Sequence, residues 1–157
     1  MTRRLAHLAG GPEDGARAMA RDEEVVRWVE AQDEVTHLVR SHGWLRPTLT
    51  VGRTQVLDPD LVDDALRAGV EIARRPTGGG WLLHLPGDLA VTFVVRGPLG
   101  PGALRGAART TAEAIALGMT ASGRPAVVFT AVTTPASRAD VCFLRADRDE
   151  VVIGETK

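Results

Sequence analysis

One cysteine and one lysine in 157 residues are the scarcities that shape this sequence. The single thiol, Cys142, has no partner for an internal disulfide, which leaves it as an inert small hydrophobe or a nucleophile. The net charge of −1 gives no broad positive field for capturing nucleic acid. There is no run of about 20 apolar residues, so a bilayer-spanning helix is excluded and no membrane partner is expected. The opening stretch "MTRRLAHLAGGPEDGARAMARDEE" has no apolar segment of signal-peptide length, so a cytoplasmic setting is expected rather than export. Nucleotide-binding glycine patterns are missing too: neither G-x-x-x-x-G-K-[ST] nor G-x-G-x-x-G occurs. No second histidine or carboxylate stands at metal-ligand spacing from His84, and no metal site is expected.

What is present is enough apolar residue, 44%, for one globular core. A single domain over 1–157 is the expectation. "LAHLAG" at 5–10 reads as a strand ended by a turn at Gly10, Gly11 and Pro12. Ala16, Met19, Ala20, Glu23, Val26 and Val29 then recur at helical spacing over about 13–31, with Val25 and Trp28 widening the stripe. "VTHLVRSHGW" and "PTLTVGRTQ" read as two paired strands bounded by Gly43, Pro47 and Gly52. "DPDLVDDALRAG" carries both helix signals, Asp58 as cap with Pro59 in the first turn and Gly69 at the end. "VEIARRP" and "DLAVTFVVRG" are strands on either side of a glycine segment. A helix over 101–121 follows, then "AVVF", the polar loop "TAVTTPASRAD" and strands in "VCFL" and "DEVVI". Strands come in adjacent runs, which predicts an α+β fold with a mixed, largely antiparallel sheet packed with helices.

The segment "RRPTGGGWLLHLPGD" at 74–88 interrupts this core. Three consecutive glycines cost backbone entropy in a strand, and so imply a tight turn at positive φ or a ligand lying against bare backbone. Arg74 and Arg75 at its entrance suit a phosphate or carboxylate. His84 can serve as a general acid or base, or as a hydrogen-bonded structural residue. The remaining outlier is Lys157: the other 18 basic residues are all arginine. A compact ammonium can approach one carbonyl oxygen and shift its pKa as a planar guanidinium cannot, although a chance retention gives the same sequence.

Taken in order, these segments resemble the biotin/lipoate protein ligase superfamily, in particular the lipoate-protein ligases and the lipoate-pathway octanoyltransferases. "MARDEEVV" is similar to that family's "MALDEALL" helix. "HGWLRPTLTVGRTQ" is similar to its Trp, Pro and S-x-G-x-x-Q stretch, here Trp44, Pro47, Thr50, Gly52 and Gln55. Arg74, Arg75, Thr77, Gly78 and Gly79, followed by Gly80 and His84, match its "RRPTGG" and histidine strand. "VCFLRADRDEVVIGETK" resembles the octanoyltransferase "CF" pattern, which places Cys142 and Lys157 on the cysteine and lysine positions. Trp81, Leu85 and "LAVTF" depart from the family, which has a small residue, an aspartate and a more polar strand there.

The resemblance implies a fold like the catalytic domain of class II aminoacyl-tRNA synthetases and biotin synthetases, with its C-terminal part missing after Lys157. It implies substrate binding by Trp44, Gln55, Arg74, Arg75, Thr77, Gly78, Gly79, Gly80 and His84, and catalysis by Cys142 and Lys157. The activity implied is transfer of an octanoyl or lipoyl group through an acyl-cysteine intermediate. The donor would be octanoyl-acyl carrier protein or lipoate; the acceptor would be a lipoyl domain or the glycine-cleavage H protein. That transferase needs no cofactor. ATP-dependent lipoate ligation, using ATP and magnesium with Cys142 structural, and a non-catalytic module binding lipoyl domains or acyl groups are the alternatives.

Overall fold

A computed structural model of the chain describes residues 4–33, 35–97, 100–128 and 151–152. These group into two compact units, one up to Arg96 and one from Gly97 onward. The first holds strand β1 (Arg4–Glu13), helix α1 (Gly15–Ala31), β2 (Val35–Trp44), β3 (Thr48–Val51), helix α2 (Pro59–Arg67), β4 (Glu71–Arg74), β5 (Leu82–His84) and β6 (Ala90–Val95). The second holds helix α3 (Pro101–Ala121) and the short strands β7 (Val127–Val128) and β8 (Val151–Val152).

The α+β class is as expected, and the strands are mixed in direction. In one sheet β2 is central, parallel to β1 and antiparallel to β6; in another β3 is central, parallel to β4 and antiparallel to β5. β7 and β8 pair antiparallel. Two local expectations are corrected. The chain does not turn at Gly10–Pro12. It continues as β1 through a register shift, Ala9 opposite Ser41 but Pro12 opposite Gly43, so one extra residue is absorbed as a bulge. Proline is tolerated there because β1 is an edge strand. Nor do β2 and β3 pair with each other: Leu45–Pro47 carries the chain from one sheet to the next, where the Pro47 carbonyl accepts from Glu71 N–H at 3.0 Å.

Helix α1 binds the two sheets together. Its apolar stripe is the predicted one: Val25 and Val29 bury against Leu38 with Ala6 and Val94, and Ala18 and Met19 against Trp44 and Ala73 with Ala90. Its start is fixed from a distance. Asp14 makes no side-chain cap; instead the Glu71 carboxylate on β4 accepts from Gly15 N–H and Ala16 N–H, both at 2.9 Å. A negative charge on these otherwise unpaired donors also suits the helix dipole. Gly15 is required by the close approach, since an added Cβ would lie 2.5 Å from Thr48 Cγ2 and 3.1 Å from the Ala73 Cβ. Helix α2 follows its sequence signals, with Asp58 Oδ1 accepting from Asp60 N–H at 2.9 Å and Gly69 at φ +71° past its end. In the second unit α3 ends with Gly123 at φ +83°, and Arg124 N–H returns to the Met119 carbonyl at 2.9 Å.

Candidate functional site

Strand β3 is buried at all four positions because it runs between β4 and β5. Where it ends, two loops interlock. The turn at 52–55 closes with Gln55 N–H on the Gly52 carbonyl at 3.0 Å, and the Gln55 side-chain oxygen accepts from Gly52 N–H at 3.3 Å. The glycine segment lies directly against it: Arg53 N–H donates to the Thr77 carbonyl and Arg75 N–H to the Val51 carbonyl, each at 2.8 Å. A Cβ on Gly52 would overlap the Gly79 carbonyl oxygen, and Gly79 itself has φ +96°. The glycines therefore serve a close approach of backbone to backbone and a left-handed turn.

The two arginines brace this arrangement. Arg74 Nη1 donates to the carbonyls of Gly52, Arg53 and Gln55 at 2.7, 3.2 and 2.9 Å. Arg75 folds back under the glycines, its Nη1 donating to the Thr50 carbonyl and to Thr50 Oγ1, both at 2.9 Å. Its Nη2 donates to the carbonyls of Gly78 and Gly80 at 3.1 and 2.6 Å. With those carbonyls held inward by a cation, Thr77, Gly78 and Gly79 stand exposed on the other side. An extended apolar chain or a carbonyl can lie against such a surface.

His84, on β5 opposite Thr48, completes the floor. Its Nε2 is 2.9 Å from Thr50 Oγ1, and its ring stacks on Trp44 with centroids 4.1 Å apart and planes 13° from parallel. Burial, then the Arg75 guanidinium, lowers its pKa to about 4, with Asp88 pulling the other way and His42 adding to the fall. The imidazole is neutral at physiological pH. His42 also neighbours Trp44, with ring centroids 5.1 Å apart and planes tilted by 58°. Trp81, between the glycines and β5, is half-buried.

Nine of the predicted site residues thus converge: Trp44, Gln55, Arg74, Arg75, Thr77, Gly78, Gly79, Gly80 and His84. Cys142 and Lys157, with the "VCFL" strand and the loop before it, lie outside the described residues. Sequence reasoning missed what holds the floor in place. On β2 the residues facing α1 are Leu38, Arg40, His42 and Trp44, all buried. Arg40, 1% exposed, donates to Asp22 Oδ1 at 2.6 Å and Glu13 Oε2 at 2.7 Å, and Thr92 Oγ1 adds a bond to Asp22 at 3.0 Å. The signal was available in the alternation of β2, because an arginine on the buried face of a strand requires buried carboxylates. Among the described residues no group of three His, Cys, Asp or Glu side chains could hold a metal ion, and no helix is long and apolar enough to cross a membrane.

Known proteins share this fold. Octanoyltransferase LipM of Symbiobacterium thermophilum is 31% identical over 157 residues, covering 96% of this chain and 56% of that protein. The chain thus spans little more than half the length of that relative. A protein of Thermoplasma acidophilum solved with bound lipoic acid superposes with a TM-score of 0.73 over 97% of this chain and 58% of its own, at 24% identity. The bi-partite lipoate protein ligase of the same archaeon, studied with its E2 lipoyl domain, superposes with a TM-score of 0.65 at 27% identity, covering 81% of this chain and 48% of its own. The lipoyl protein ligase A/B catalytic domain matches residues 14–157. This chain therefore belongs to the lipoyl protein ligase A/B catalytic domain family.

Proposed function

We propose that the chain transfers an octanoyl or lipoyl group to the lysine of a lipoyl domain or the glycine-cleavage H protein, through an acyl-enzyme at Cys142. The observation that carries this reading is the convergence of Trp44, His84 and the braced glycine segment in a chain similar to an octanoyltransferase along nearly its whole length. In the proposed reaction the Cys142 thiolate attacks the thioester carbonyl of octanoyl-acyl carrier protein. The tetrahedral centre collapses with loss of the carrier thiolate, and the acceptor amine then displaces Cys142. Lys157 would favour the thiolate by its charge and stabilise the developing oxyanion. The acyl chain would lie along the exposed face of Gly78 and Gly79, with Trp44 and His84 beneath. The proposed chemistry would need no cofactor and would run in the cytoplasm.

Likeness to the bi-partite lipoate protein ligase favours a second reading, lipoate ligation with ATP and magnesium. In that case ATP would activate the acyl carboxylate, and Arg74 and Arg75 would be the cations nearest the glycine segment. Their Nη1 atoms already serve backbone carbonyls, which suits them better to shaping the loop than to gripping a phosphate.

Incubation with octanoyl-acyl carrier protein followed by intact mass measurement is expected to show an octanoyl adduct that Cys142→Ala abolishes. Folded protein that never acquires the adduct sinks the transferase reading. Lipoate-dependent release of pyrophosphate from ATP that survives Cys142→Ala supports the ligase instead. Binding of a lipoyl domain with neither reaction leaves a non-catalytic module.

A further inference from the structure

The hydroxyl of Thr50 connects two of the charged or titratable groups of the site, Arg75 and His84. Thr50 is fully buried. Its Oγ1 is 2.9 Å from Arg75 Nη1 and 2.9 Å from His84 Nε2. A guanidinium can only donate, so the first of these bonds occupies a lone pair of the hydroxyl. The hydroxyl proton remains, and a buried donor needs an acceptor. Among the described residues the acceptor within reach is the His84 ring nitrogen. Nε2 must therefore carry the lone pair, and in a neutral imidazole the proton then sits on Nδ1. The stacking of the ring on Trp44 fixes its plane, so Nδ1 has a defined direction. Among the described residues, the bond to Thr50 is the hydrogen bond His84 makes.

We propose that Thr50 is a positioning residue, which fixes His84 as the Nδ1–H tautomer and turns the ring into a hydrogen-bond donor toward the acyl carbonyl rather than a base at Nε2. Donation to the acyl group rests on the functional reading above; the tautomer does not. The same Thr50 oxygen ties Arg75, and through it the glycine carbonyls, to the orientation of the ring. Loop shape and imidazole proton are thus set by one side chain.

Long-range proton–nitrogen correlation spectra of the substrate-free chain at neutral pH test the tautomer directly. The expected spectrum has a pyridine-like Nε2 and a pyrrole-like Nδ1 for His84. The reverse pattern overturns the proposal. In Thr50→Val the ring should lose this bias while Thr50→Ser retains it; a Val variant with the wild-type pattern removes Thr50 from the mechanism. Should Thr50→Val not fold, the wild-type and Thr50→Ser spectra decide alone. Acyl loading should fall about 10- to 100-fold in Thr50→Val, as misplacement of a reacting group does, and recover in Thr50→Ser. A second arm uses an octanoyl-pantetheine amide, in which nitrogen replaces the thioester sulfur. Its binding should shift the Nδ1 proton signal, and binding without that shift overturns the donor role. Absence of binding overturns the functional reading and the donor role with it, while the spectrum still judges the tautomer.

Discussion

Two imidazoles neighbour Trp44 and live under different rules. His84 is half-buried, with a hydrogen bond to Thr50, beside Arg75, which donates to Thr50 and to the carbonyls of the glycine segment. His42 is 1% exposed and lies beside an arginine whose charge is met by Glu13 and Asp22. Both pKa values are lowered chiefly by burial, but at His42 the two carboxylates oppose the effect of Arg40. Arg40 is a closed electrostatic unit and stiffens the scaffold. Arg75 braces the glycine segment and helps lower the pKa of His84, with Asp88 opposing it there. The same residue type thus holds the scaffold beside one imidazole and shapes the glycine loop beside the other.

The most damaging way to break that contrast is to open the closed unit. Arg40→Met would leave Asp22 buried with only the Thr92 hydroxyl and Glu13 with Arg21 alone, and loss of one partner from a buried pair costs about 3–5 kcal/mol. Chemical denaturation should show a fall of that size. A loss below about 1 kcal/mol would mean that the carboxylates find other partners and that the surroundings of the two imidazoles are less different than their geometry.

Beside His84 the corresponding break is steric. Gly52→Ala places a Cβ on the Gly79 carbonyl, so one of the interlocked loops must move. Overpacking of this kind costs about 1–3 kcal/mol. Acyl loading should fall on the order of 100-fold, because the displaced glycine segment is the proposed substrate surface. Unchanged loading with unchanged stability would detach the glycine segment from the site.

Much of this division was readable from the sequence, and the unreadable part has a physical pattern. Helix α2 announced itself because Asp58, Pro59 and Gly69 act on neighbours within one turn. Helix α1 showed its stripe because Val25 and Val29 repeat with the helical period. The residues of the glycine site could be gathered through their order along the chain. The Arg40 cluster could not, since its members are 18 and 27 residues apart and no local rule links them. The bulge at Gly10–Pro12 was hidden because glycine and proline signal a turn equally well. β2 and β3 looked like a hairpin for the same reason: strand signals report extension, while partner choice is decided by tertiary packing.

Acid separates the imidazoles more gently. The folded pKa of His84, about 4, lies below its ordinary value of 6.5, so the unfolded chain binds the proton more readily. The contribution of this group to stability is full above about pH 6.5, declines as pH falls toward 4, and declines no further below that. At pH 5, allowing for partial solvent access, the loss is on the order of 1–2 kcal/mol. Urea denaturation at pH 7 and pH 5 should show this loss, and His84→Gln should reduce it. If the acid sensitivity survives His84→Gln in full, His84 is not its source, and the lowered pKa of His42 becomes the candidate.

Glu71 gives the smallest and sharpest probe, because it touches neither imidazole yet sets the helix that covers one of them. Its carboxylate replaces a local cap on α1, and Glu71→Gln keeps the shape while removing the charge and one acceptor oxygen. Loss of a cap costs about 1 kcal/mol, and the dipole contribution adds about 0.3–1 kcal/mol. Thermal melting should register a fall near 1 kcal/mol. The division between the two imidazoles then makes a stronger demand than the size of the loss. Helix α1 carries Asp22 to Arg40 but takes no part in the Thr50–His84 bond. Glu71→Gln should therefore weaken protection of the Arg40 side against hydrogen exchange and leave the His84 nitrogen shifts where they were. Movement of those shifts would mean that the scaffold around Arg40 reaches the ring of His84.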